Sequence, residues 1–276
     1  MTADPELQLL ADSLRTSMTA SSLGSGAGLD AALADLGWLD MLDQIPDVAI
    51  PLVFRLLGET GAHAPVLNDV VLRAAEREPG GTVPLPFAGG SWVVWERTDG
   101  AGSALDDELP IHRVAAGDPA QSAVLAAGHR ALGWWLVGTS RAMLTLARQH
   151  AVDRVQFGRH ISSFQAIRHR LAETLVAIEG AEATLLSAGD IPEDSDGSHA
   201  LACLLAKAAA GQAALTAARH CQQVLGGIGF TAEHQLHRHV KRSLILDGLL
   251  GSTRELTREA GAILRANGSA PRLAHL

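Results

Sequence analysis

The stretch RVQFGRHISSFQAIRHRL, residues 154–171, links two long amphipathic segments and decides the architecture of the chain. Residues 120–149 and residues 163–188 both place apolar side chains along one stripe, as helices that pack on a core do. Residues 200–218 contain ten alanines among nineteen positions, a composition that favours helix and lets neighbouring helices approach closely. These segments predict a bundle of long helices.

Two more helices, near residues 231–246 and 253–266, complete the predicted C-terminal bundle of residues 120–266, and residues 267–276 form a tail. A capping box, in which Ser precedes Gln or Glu by three residues, is predicted at two helix starts: Ser162 with Gln165, and Ser252 with Glu255.

Residues 1–119 divide into two parts of different composition. Residues 1–78 form a predicted N-terminal helical part with apolar spacings of three and four, at residues 7–18, 30–39 and 50–57. Glycine and proline then become frequent, and residues 79–119 form a predicted β-rich insert around two strand-like runs, residues 82–85 and 91–96. The predicted fold class is therefore mainly α.

The composition excludes several classes of function. The 276 residues have a formal net charge of −8, and 4% are aromatic with no tyrosine, which disfavours nucleic-acid binding. Residues 1–120 carry 6 Lys and Arg against 18 Asp and Glu, whereas residues 121–276 carry 16 against 12. The acidic N-terminus and the interrupted apolar runs predict neither a signal peptide nor a membrane span. The two cysteines, which form no disulfide framework, indicate a reducing cytoplasm.

Metal and disulfide sites are not predicted. Cys203 and Cys221 both lie in alanine- and leucine-rich helical sequence, which argues against a disulfide framework. His234, His237 and His239 are close in sequence, but only the first two share a helix face, and no cysteine or carboxylate completes a ligand set. We therefore expect no metal centre.

Two motifs carry residue types that can bind a dinucleotide-like ligand. In the first, Arg154 can hold an anionic group while Phe157, in a predicted loop, covers a flat or apolar one. In the second, Gly226 and Gly227 at a helix end let a diphosphate reach backbone N–H groups. An alternative interpretation stays open, in which Phe157 is core, Arg154 is a solvated helix-end cation, and the glycine pair is a helix C-cap.

The second motif also imitates a Rossmann fingerprint. Gly227-Ile-Gly229-Phe-Thr-Ala232 matches its spacing, and Asp247 lies where a ribose-binding acid is expected. The preceding sequence is alanine-rich helix, however, and the fingerprint requires a strand before its turn. We therefore reject a Rossmann fold.

The same motifs resemble those of the acyl-CoA dehydrogenase family. Arg154-x-Gln-Phe-Gly158 with Phe164-Gln165, followed by Gln223-Val-Leu-Gly-Gly-Ile-Gly-Phe-Thr231, stands in the family's order and approximate spacing. The resemblance covers roughly the last 150 residues, and more weakly the first eighty or so. It implies an acyl-CoA dehydrogenase-like C-terminal helical bundle with a short N-terminal helical part and a reduced β insert.

The resemblance also implies a cofactor and a reaction. Family members remove an α-hydrogen of an acyl-CoA as a proton and pass the β-hydrogen as hydride to FAD. The flavin ring of that FAD lies mainly in one subunit, while a neighbouring subunit contacts the ADP portion. By resemblance, five residues of this chain are the predicted ADP contacts: Arg154, Gln156, Phe157, Gln223 and Gly227.

The sequence departs from the family pattern at two places. The middle β-domain, which contacts the flavin ring in the family, is reduced to residues 79–119. Leu250-Gly251-Ser252 stands where many members have Glu-Gly-Thr, and leucine cannot accept a proton. Asp247 lies about one helical turn earlier and is considered as a replacement. No catalytic residue is predicted in this chain.

Two hypotheses follow. In the first, the chain is the base-less subunit of a hetero-oligomeric acyl-CoA dehydrogenase, similar to the unequal subunit pairs of bacterial steroid side-chain degradation. It contributes the wall of residues that contacts the ADP portion of an FAD, and it shares this FAD with a longer partner subunit. The two form a heterotetramer that acts on an acyl-CoA. In the second, the chain is a non-redox homo-oligomeric binding protein or an acyl-thioester lyase on the same scaffold.

Overall fold

Long helices form most of the fold, as the apolar spacing and the alanine content predict. The computed structural model describes residues 5–21, 26–98, 104–106, 108–193 and 197–271. Within these residues it has ten α-helices: α1 Pro5–Ser21, α2 Gly26–Asp35, α3 Trp38–Gln44, α4 Pro46–Thr60, α5 Leu67–Ala74, α6 Ser122–Asp153, α7 Gln165–Gly189, α8 Ser198–Leu225, α9 Leu236–Gly248 and α10 Thr253–Asn267. Residues 272–276 of the predicted tail lie outside the described residues.

Among the helix boundaries that differ from the sequence prediction, two have clear local reasons. A single helix is predicted over residues 30–39, but Gly37 adopts a left-handed conformation with φ 81°, so one helix ends before it and α3 begins after it. The helix predicted from residue 231 begins only at Leu236, because His234 Nδ1 accepts a hydrogen bond from Leu236 N (3.1 Å) in the preceding turn.

The two predicted capping boxes have different outcomes. Ser252 and Glu255 form the box at the start of α10, with Ser252 N donating to the Glu255 carboxylate (2.9 Å) and Glu255 N donating to Ser252 Oγ (3.4 Å). The box predicted for Ser162 and Gln165 is wrong. Phe164 occupies the N-cap of α7, and Ser162 lies in a 3₁₀ turn before it.

The β-rich insert is a four-stranded antiparallel sheet in the order β1-β2-β4-β3. Its strands are β1 Pro84–Phe87, β2 Ser91–Trp95, β3 Ala104–Asp106 and β4 Leu109–Val114. The sequence pattern predicts the first two strands and misses the others. Trp95 of β2 stacks on Trp135 of α6 with ring centroids 5.3 Å apart, which fixes the sheet on the bundle.

Close helix packing joins the N-terminal helices to the bundle. A Cβ at Gly58 of α4 would lie 2.4 Å from Thr139 N of α6, and one at Gly138 would lie 2.1 Å from Arg55 O, so glycine is required where these helices cross. One apolar cluster includes buried side chains of the N-terminal helices, the sheet and the bundle, among them Leu14, Phe54, Trp95, Trp135 and Leu250. These parts therefore share a core.

A long apolar helix, α8, lies inside the protein. The stretch Ser198–Phe230 has the length and hydropathy of a membrane-spanning helix, but 67% of its most apolar window is buried within the fold. It contacts α6, α7, α9 and α10, as the central helix of a bundle does. Cys203 and Cys221 of this helix are free and buried.

Candidate functional site

The first predicted motif is a tight hairpin at the end of α6. Strands β5 (Val155–Gln156) and β6 (Arg159–His160) are joined by Phe157 and Gly158, whose φ angles are 55° and 76°. Positive φ at both central residues is typical of a type I′ turn. Phenylalanine rarely adopts this conformation, and its side chain here is 91% exposed. The turn holds an apolar ring in solvent at a cost in backbone strain.

Neighbouring groups fix this hairpin. The Phe157 and Phe164 rings meet edge to face, with centroids 6.1 Å apart. The Arg159 guanidinium lies 4.1 Å from the centre of the Phe164 ring, a cation–π contact. Ile161 N donates a hydrogen bond to Arg154 O (2.8 Å), which closes the hairpin on the helix end. The interpretation of Phe157 as a core residue is therefore wrong.

Arg154, Gln156 and Gln223 are exposed as well. The Arg154 guanidinium makes no ion pair with a carboxylate in the part of the chain that the structure describes. A guanidinium without such a partner is available to bind an anionic group from outside the chain, in a charge-assisted hydrogen bond.

The second predicted motif forms the turn between α8 and α9. Gly226 has φ 64° and ψ −140° and is the C-cap of α8, as the alternative interpretation predicts. A Cβ at Gly229 would lie 2.7 Å from Gln222 O, so packing requires glycine there. At Gly227, which is exposed, a Cβ would meet no atom within 4 Å. The surface beside Gly227 is therefore open to a ligand or to another chain.

The two motifs lie at the same end of the bundle. The last turns of α6 and α8 pack in one apolar cluster that includes Met143, Ala147, Ala151, Cys221, Val224 and Leu225. We call residues 152–158 and 223–230, which continue from these helix ends, the exposed loop pair. Further apolar side chains are exposed in it: Val152 49%, Val155 48%, Ile228 41% and Phe230 64%. Apolar surface grouped around a cation is typical of an interaction site.

The exposed loop pair fits the ADP portion of an FAD. A diphosphate requires a cation, which Arg154 offers, and room to approach the backbone, which the open space beside Gly227 offers; the exposed Phe157 ring offers an apolar face. All three groups lie on the surface of the chain. A ligand bound to these groups has one side exposed to solvent in the isolated chain.

The position that resembles the family's catalytic base is built differently. Leu250 is 4% exposed and has φ 55°. Its N–H donates to Pro86 O of β1 (2.8 Å), and Leu249 forms an antiparallel bridge with Phe87. The Phe87 ring packs so closely on Gly248 that a Cβ there would lie 2.5 Å from it. This loop therefore rests directly on the reduced sheet.

Buried side chains bind the carbonyl groups of this segment, residues 247–253, which we call the closed loop. Lys207 is fully buried, and its Nζ donates to Asp247 O (2.7 Å) and to Gly251 O. His129 Nε2 lies 2.9 Å from Leu250 O. Burial lowers the pKa of His129 to about 4, so its ring is neutral at pH 7 and can donate an N–H to that carbonyl.

The two carboxylates near Leu250 on the closed loop and α10 have structural roles. Asp247 Oδ1 accepts hydrogen bonds from Thr253 N (3.1 Å) and Thr253 Oγ1 (2.5 Å). Glu255 accepts hydrogen bonds from Ser252 N and from Gly89 N (2.9 Å each). Hydrogen bonds from Ser252 and Gly89 lower the pKa of Glu255 to about 2. Both groups are engaged as acceptors, which argues against Asp247 as a replacement base.

A cavity of about 400 Å³ lies beside Leu250, between α5, β1 and the start of α6. Its wall is mainly apolar, and Asp118 is the one carboxylate among the residues that line it. Asp118 is exposed, while Asp247 does not line the cavity. The sequence interpretation missed Asp118, because it lies in the Gly- and Pro-rich insert and only the fold brings it near Leu250.

The described residues contain no group of three or more His, Cys, Asp or Glu side chains placed to hold a metal ion. His239, one of the three clustered histidines, is buried at 6% exposure. Burial lowers its pKa to about 4, with Arg242 and Arg238 contributing in the same direction.

Comparison with protein families gives a match to the acyl-CoA dehydrogenase C-terminal domain over residues 118–262, more than half of the chain. The chain belongs to the acyl-CoA dehydrogenase family. Its members are FAD-dependent oxidoreductases, so the ADP fit of the exposed loop pair agrees with the family's cofactor.

Two curated relatives from Mycobacterium tuberculosis match at the sequence level. The acyl-CoA dehydrogenase FadE34 is 32% identical over 212 residues, which cover 72% of this chain and 30% of FadE34. The acyl-CoA dehydrogenase IpdE2 is 38% identical over 122 residues, which cover 44% of this chain and 36% of IpdE2. The matches therefore span about a third of the length of these relatives.

Solved structures with the same fold cover nearly the whole chain. A variant of the Tcur3481–Tcur3483 steroid ACAD has a TM-score of 0.72 at 20% identity, over 96% of this chain and 98% of that chain. The ChsE4–ChsE5 complex from Mycobacterium tuberculosis has a TM-score of 0.68 at 20% identity, over 98% of this chain and 99% of that chain. At this identity the likeness shows a shared fold.

Proposed function

We propose that this chain is the base-less subunit of a hetero-oligomeric, cytoplasmic, FAD-dependent acyl-CoA dehydrogenase. It forms a heterotetramer with a longer acyl-CoA dehydrogenase subunit and contributes the wall that binds the ADP portion of an FAD held mainly by that partner. The reaction is α,β-dehydrogenation of an acyl-CoA, and the partner supplies the base.

One observation carries this proposal: all five predicted ADP contacts are exposed in the loop pair at one end of the bundle. A site for a cofactor used within one chain is normally concave and largely covered by that chain. Here Phe157 has a positive φ and its ring is 91% exposed, and Val155 and Phe230 of the exposed loop pair are exposed as well. Such an exposed arrangement suits a cofactor whose remaining part is bound by a second chain.

The closed loop supports the proposal that the partner subunit supplies the base. In an acyl-CoA dehydrogenase the bound FAD accepts the hydride, while a protein carboxylate takes the α-proton. In this chain the matching position is an apolar leucine, and its backbone bonds directly to β1 through Pro86 O. Leu250 cannot hold a proton, and nearby Asp247 is engaged as an acceptor for Thr253. Proton removal is therefore assigned to the partner subunit.

The substrate class rests on the relatives. The fold matches a steroid ACAD and the complex of ChsE4 with ChsE5, in both cases over nearly the whole chain. We infer by analogy that this chain takes part in dehydrogenating a steroid side-chain thioester within a pair of unequal subunits.

Co-expression tests the proposal. The chain, with an affinity tag, is produced together with a longer acyl-CoA dehydrogenase homologue from the same genome, and the purified complex is examined by absorbance and by subunit quantification. We expect a yellow heteromer with fewer FAD molecules than chains. Purified without the partner, the chain is expected to be free of flavin and poorly soluble, because its apolar surface lacks a cover.

Two results would contradict the proposal. One is a complex that stays colourless under saturating FAD. The other is a soluble homo-oligomer of this chain that turns over an acyl thioester without flavin, which would favour a lyase on the same scaffold.

A further inference from the structure

A second cavity, of about 870 Å³, lies apart from both the exposed loop pair and the closed loop. It is bounded by α6, α7, the start of α9 and the N-terminal helices α1 and α4. None of the five predicted ADP contacts lines it, and neither does Leu250. Its volume is within the range of roughly 300–1,000 Å³ found for small-molecule sites.

The cavity has a surplus of positive charge in a chain whose net charge is −8. Four guanidinium groups line it, from Arg15, Arg141, Arg148 and Arg168, against the single carboxylate of Glu59. Such a surplus attracts an anionic ligand, because a concave surface of one sign focuses the electrostatic potential.

Two of these arginines are already neutralised. Arg15 pairs with Glu59 at 2.8 Å, and Arg141 pairs with Glu179 at 3.0 Å and with Glu182. Both arginines therefore serve mainly to join helices across the cavity wall, and they contribute little net charge to it.

Arg148 and Arg168 remain without a carboxylate partner in the described part of the chain. Arg148 is on α6 and Arg168 on α7, and both side chains are exposed. Arg168 Nε donates to Ser162 O (2.8 Å), and this bond orients the guanidinium. Because the acceptor is a neutral carbonyl, it does not neutralise the positive charge. Two unpaired guanidinium groups on neighbouring helices form a recognition element for a carboxylate or a phosphate.

The rest of the lining is largely apolar. Leu144 and Leu146 contribute from α6, and Leu171 and Leu175 contribute from α7. The buried ring of His239 also lines the cavity, and because it is neutral at pH 7 it adds no charge. A ligand with a charged head therefore also requires an apolar body here.

We propose that this cavity binds a small amphipathic anion, in which a carboxylate or phosphate head is held by Arg148 and Arg168 and an apolar body lies along the leucines. The site is separate from the proposed ADP wall, and every residue that lines it belongs to this chain.

Calorimetric titration of the full chain, purified in its co-expressed complex, tests the site. The probes are dodecanoate and dodecyl phosphate, with inorganic phosphate and uncharged dodecyl maltoside as references. We expect saturable binding of at least one dodecyl anion with one site per copy of this chain. A preference between the two anions identifies the head group, and inorganic phosphate is expected to bind at least tenfold more weakly because it lacks the apolar body.

Variants assign the binding to this cavity. Arg148→Gln and Arg168→Gln are each expected to weaken binding of the preferred anion about tenfold, because each variant loses one charge-assisted contact. Leu175→Asp, at a side chain already 43% exposed, is expected to abolish binding without unfolding the chain. Arg170→Gln is the matched control, since Arg170 is an exposed arginine of α7 outside the cavity lining.

Equal affinity for dodecyl maltoside would overturn the proposal, because it would indicate unspecific contact with apolar surface. Unchanged affinity in both arginine variants would overturn it as well. FAD content is measured on the same samples. Loss of anion binding with normal FAD content would contradict this site alone, whereas loss of FAD with normal anion binding would contradict the proposed ADP wall alone.

Discussion

In the closed loop, buried Lys207 and His129 contact the carbonyls of Asp247, Leu250 and Gly251, whereas in the exposed loop pair Arg154 and Phe157 lie on the surface. Both regions contain a non-glycine residue with φ 55°, Leu250 in one and Phe157 in the other. The strain at Leu250 is held in place by internal contacts, while the strain at Phe157 presents a ring to solvent. The closed loop is therefore completed by contacts within this chain, whereas under the proposed function the exposed loop pair is completed by a partner subunit and its FAD.

This difference separates cofactor binding from catalysis within one fold. Under the proposed function, this chain contacts the ADP portion of FAD through the exposed loop pair and takes no part in proton removal at the closed loop. Substitutions in the closed loop should then alter the stability of this chain, whereas substitutions in the loop pair should alter the assembly and leave the chain folded.

The largest effect is expected for Lys207→Met. The variant removes the buried donor for the carbonyls of Asp247 and Gly251 and keeps a similar side-chain length, so we expect the free energy of unfolding to fall by about 2–4 kcal/mol. Urea denaturation followed by circular dichroism measures it. Arg154→Gln is the comparison from the loop pair and should remain within about 0.5 kcal/mol of the parent. Equal stability of all three proteins would remove the distinction between the two regions.

Arg154→Gln should instead weaken the retention of FAD by the complex about tenfold or more. The lost contact is a charge-assisted hydrogen bond to a diphosphate, and about 1.4 kcal/mol corresponds to a factor of ten. Fluorescence titration of the apo-complex with FAD gives the dissociation constants. Arg170→Gln, on the surface of α7, is the control. Parent-like affinity in Arg154→Gln would show that this guanidinium has no role in cofactor binding.

Phe157→Asn is expected to have opposite effects on the chain and on the complex. Asparagine tolerates positive φ better than phenylalanine, so the free energy of unfolding should stay constant or rise by up to about 1 kcal/mol. The complex should dissociate more readily, because the exposed ring is lost from the interface. Analytical ultracentrifugation across a dilution series measures the association. A chain that becomes less stable would show that the contact of Phe157 with Phe164 outweighs the relief of backbone strain.

A smaller effect concerns the bond between Glu255 and the sheet. The folded-state pKa of Glu255 is about 2, below the ordinary value of 4.5, so its contribution to stability is present above pH 4.5 and is lost as the pH falls toward 2. Glu255→Gln should lose less stability over this pH interval than the parent does. Urea midpoints at several pH values test this, and parallel curves for the two proteins would contradict it.

No effect on turnover is expected for Asp118→Asn or Asp247→Asn. If this chain removes no proton, the complex should dehydrogenate its acyl-CoA at the parental rate in both variants. The rate is followed by reduction of an artificial electron acceptor. Loss of turnover with intact FAD content would place the base in this chain.

The sequence predicts the helices well because their signals are local. Alanine content and apolar spacing are sufficient to locate α6, α7 and α8, and the motif order is sufficient to suggest the family. The two strands at residues 104–106 and 109–114 have no such local signal. Each strand is short and is stabilised by pairing with neighbouring strands.

The candidate site is predictable in its residues and not in its geometry. The sequence selects Arg154 and Gly227, but the positive φ of Phe157 has no sequence signal, because hairpin turns of this type usually carry Asn or Gly at that position. The contact of Leu250 with Pro86 joins residues far apart in the chain, and only the fold reveals it. The Ser162 capping box failed because the hairpin imposes a 3₁₀ turn on that residue.

A structure of the co-expressed complex tests most directly whether this chain contacts the ADP portion of FAD and takes no part in proton removal. The deciding quantity is the distance from the Arg154 guanidinium to the nearest FAD phosphate oxygen. The account predicts hydrogen-bond contact, with the flavin ring inside the partner and the Leu250 backbone still bonded to Pro86. A flavin ring beside Leu250, or solvent around Arg154 in a complex loaded with FAD, would contradict it.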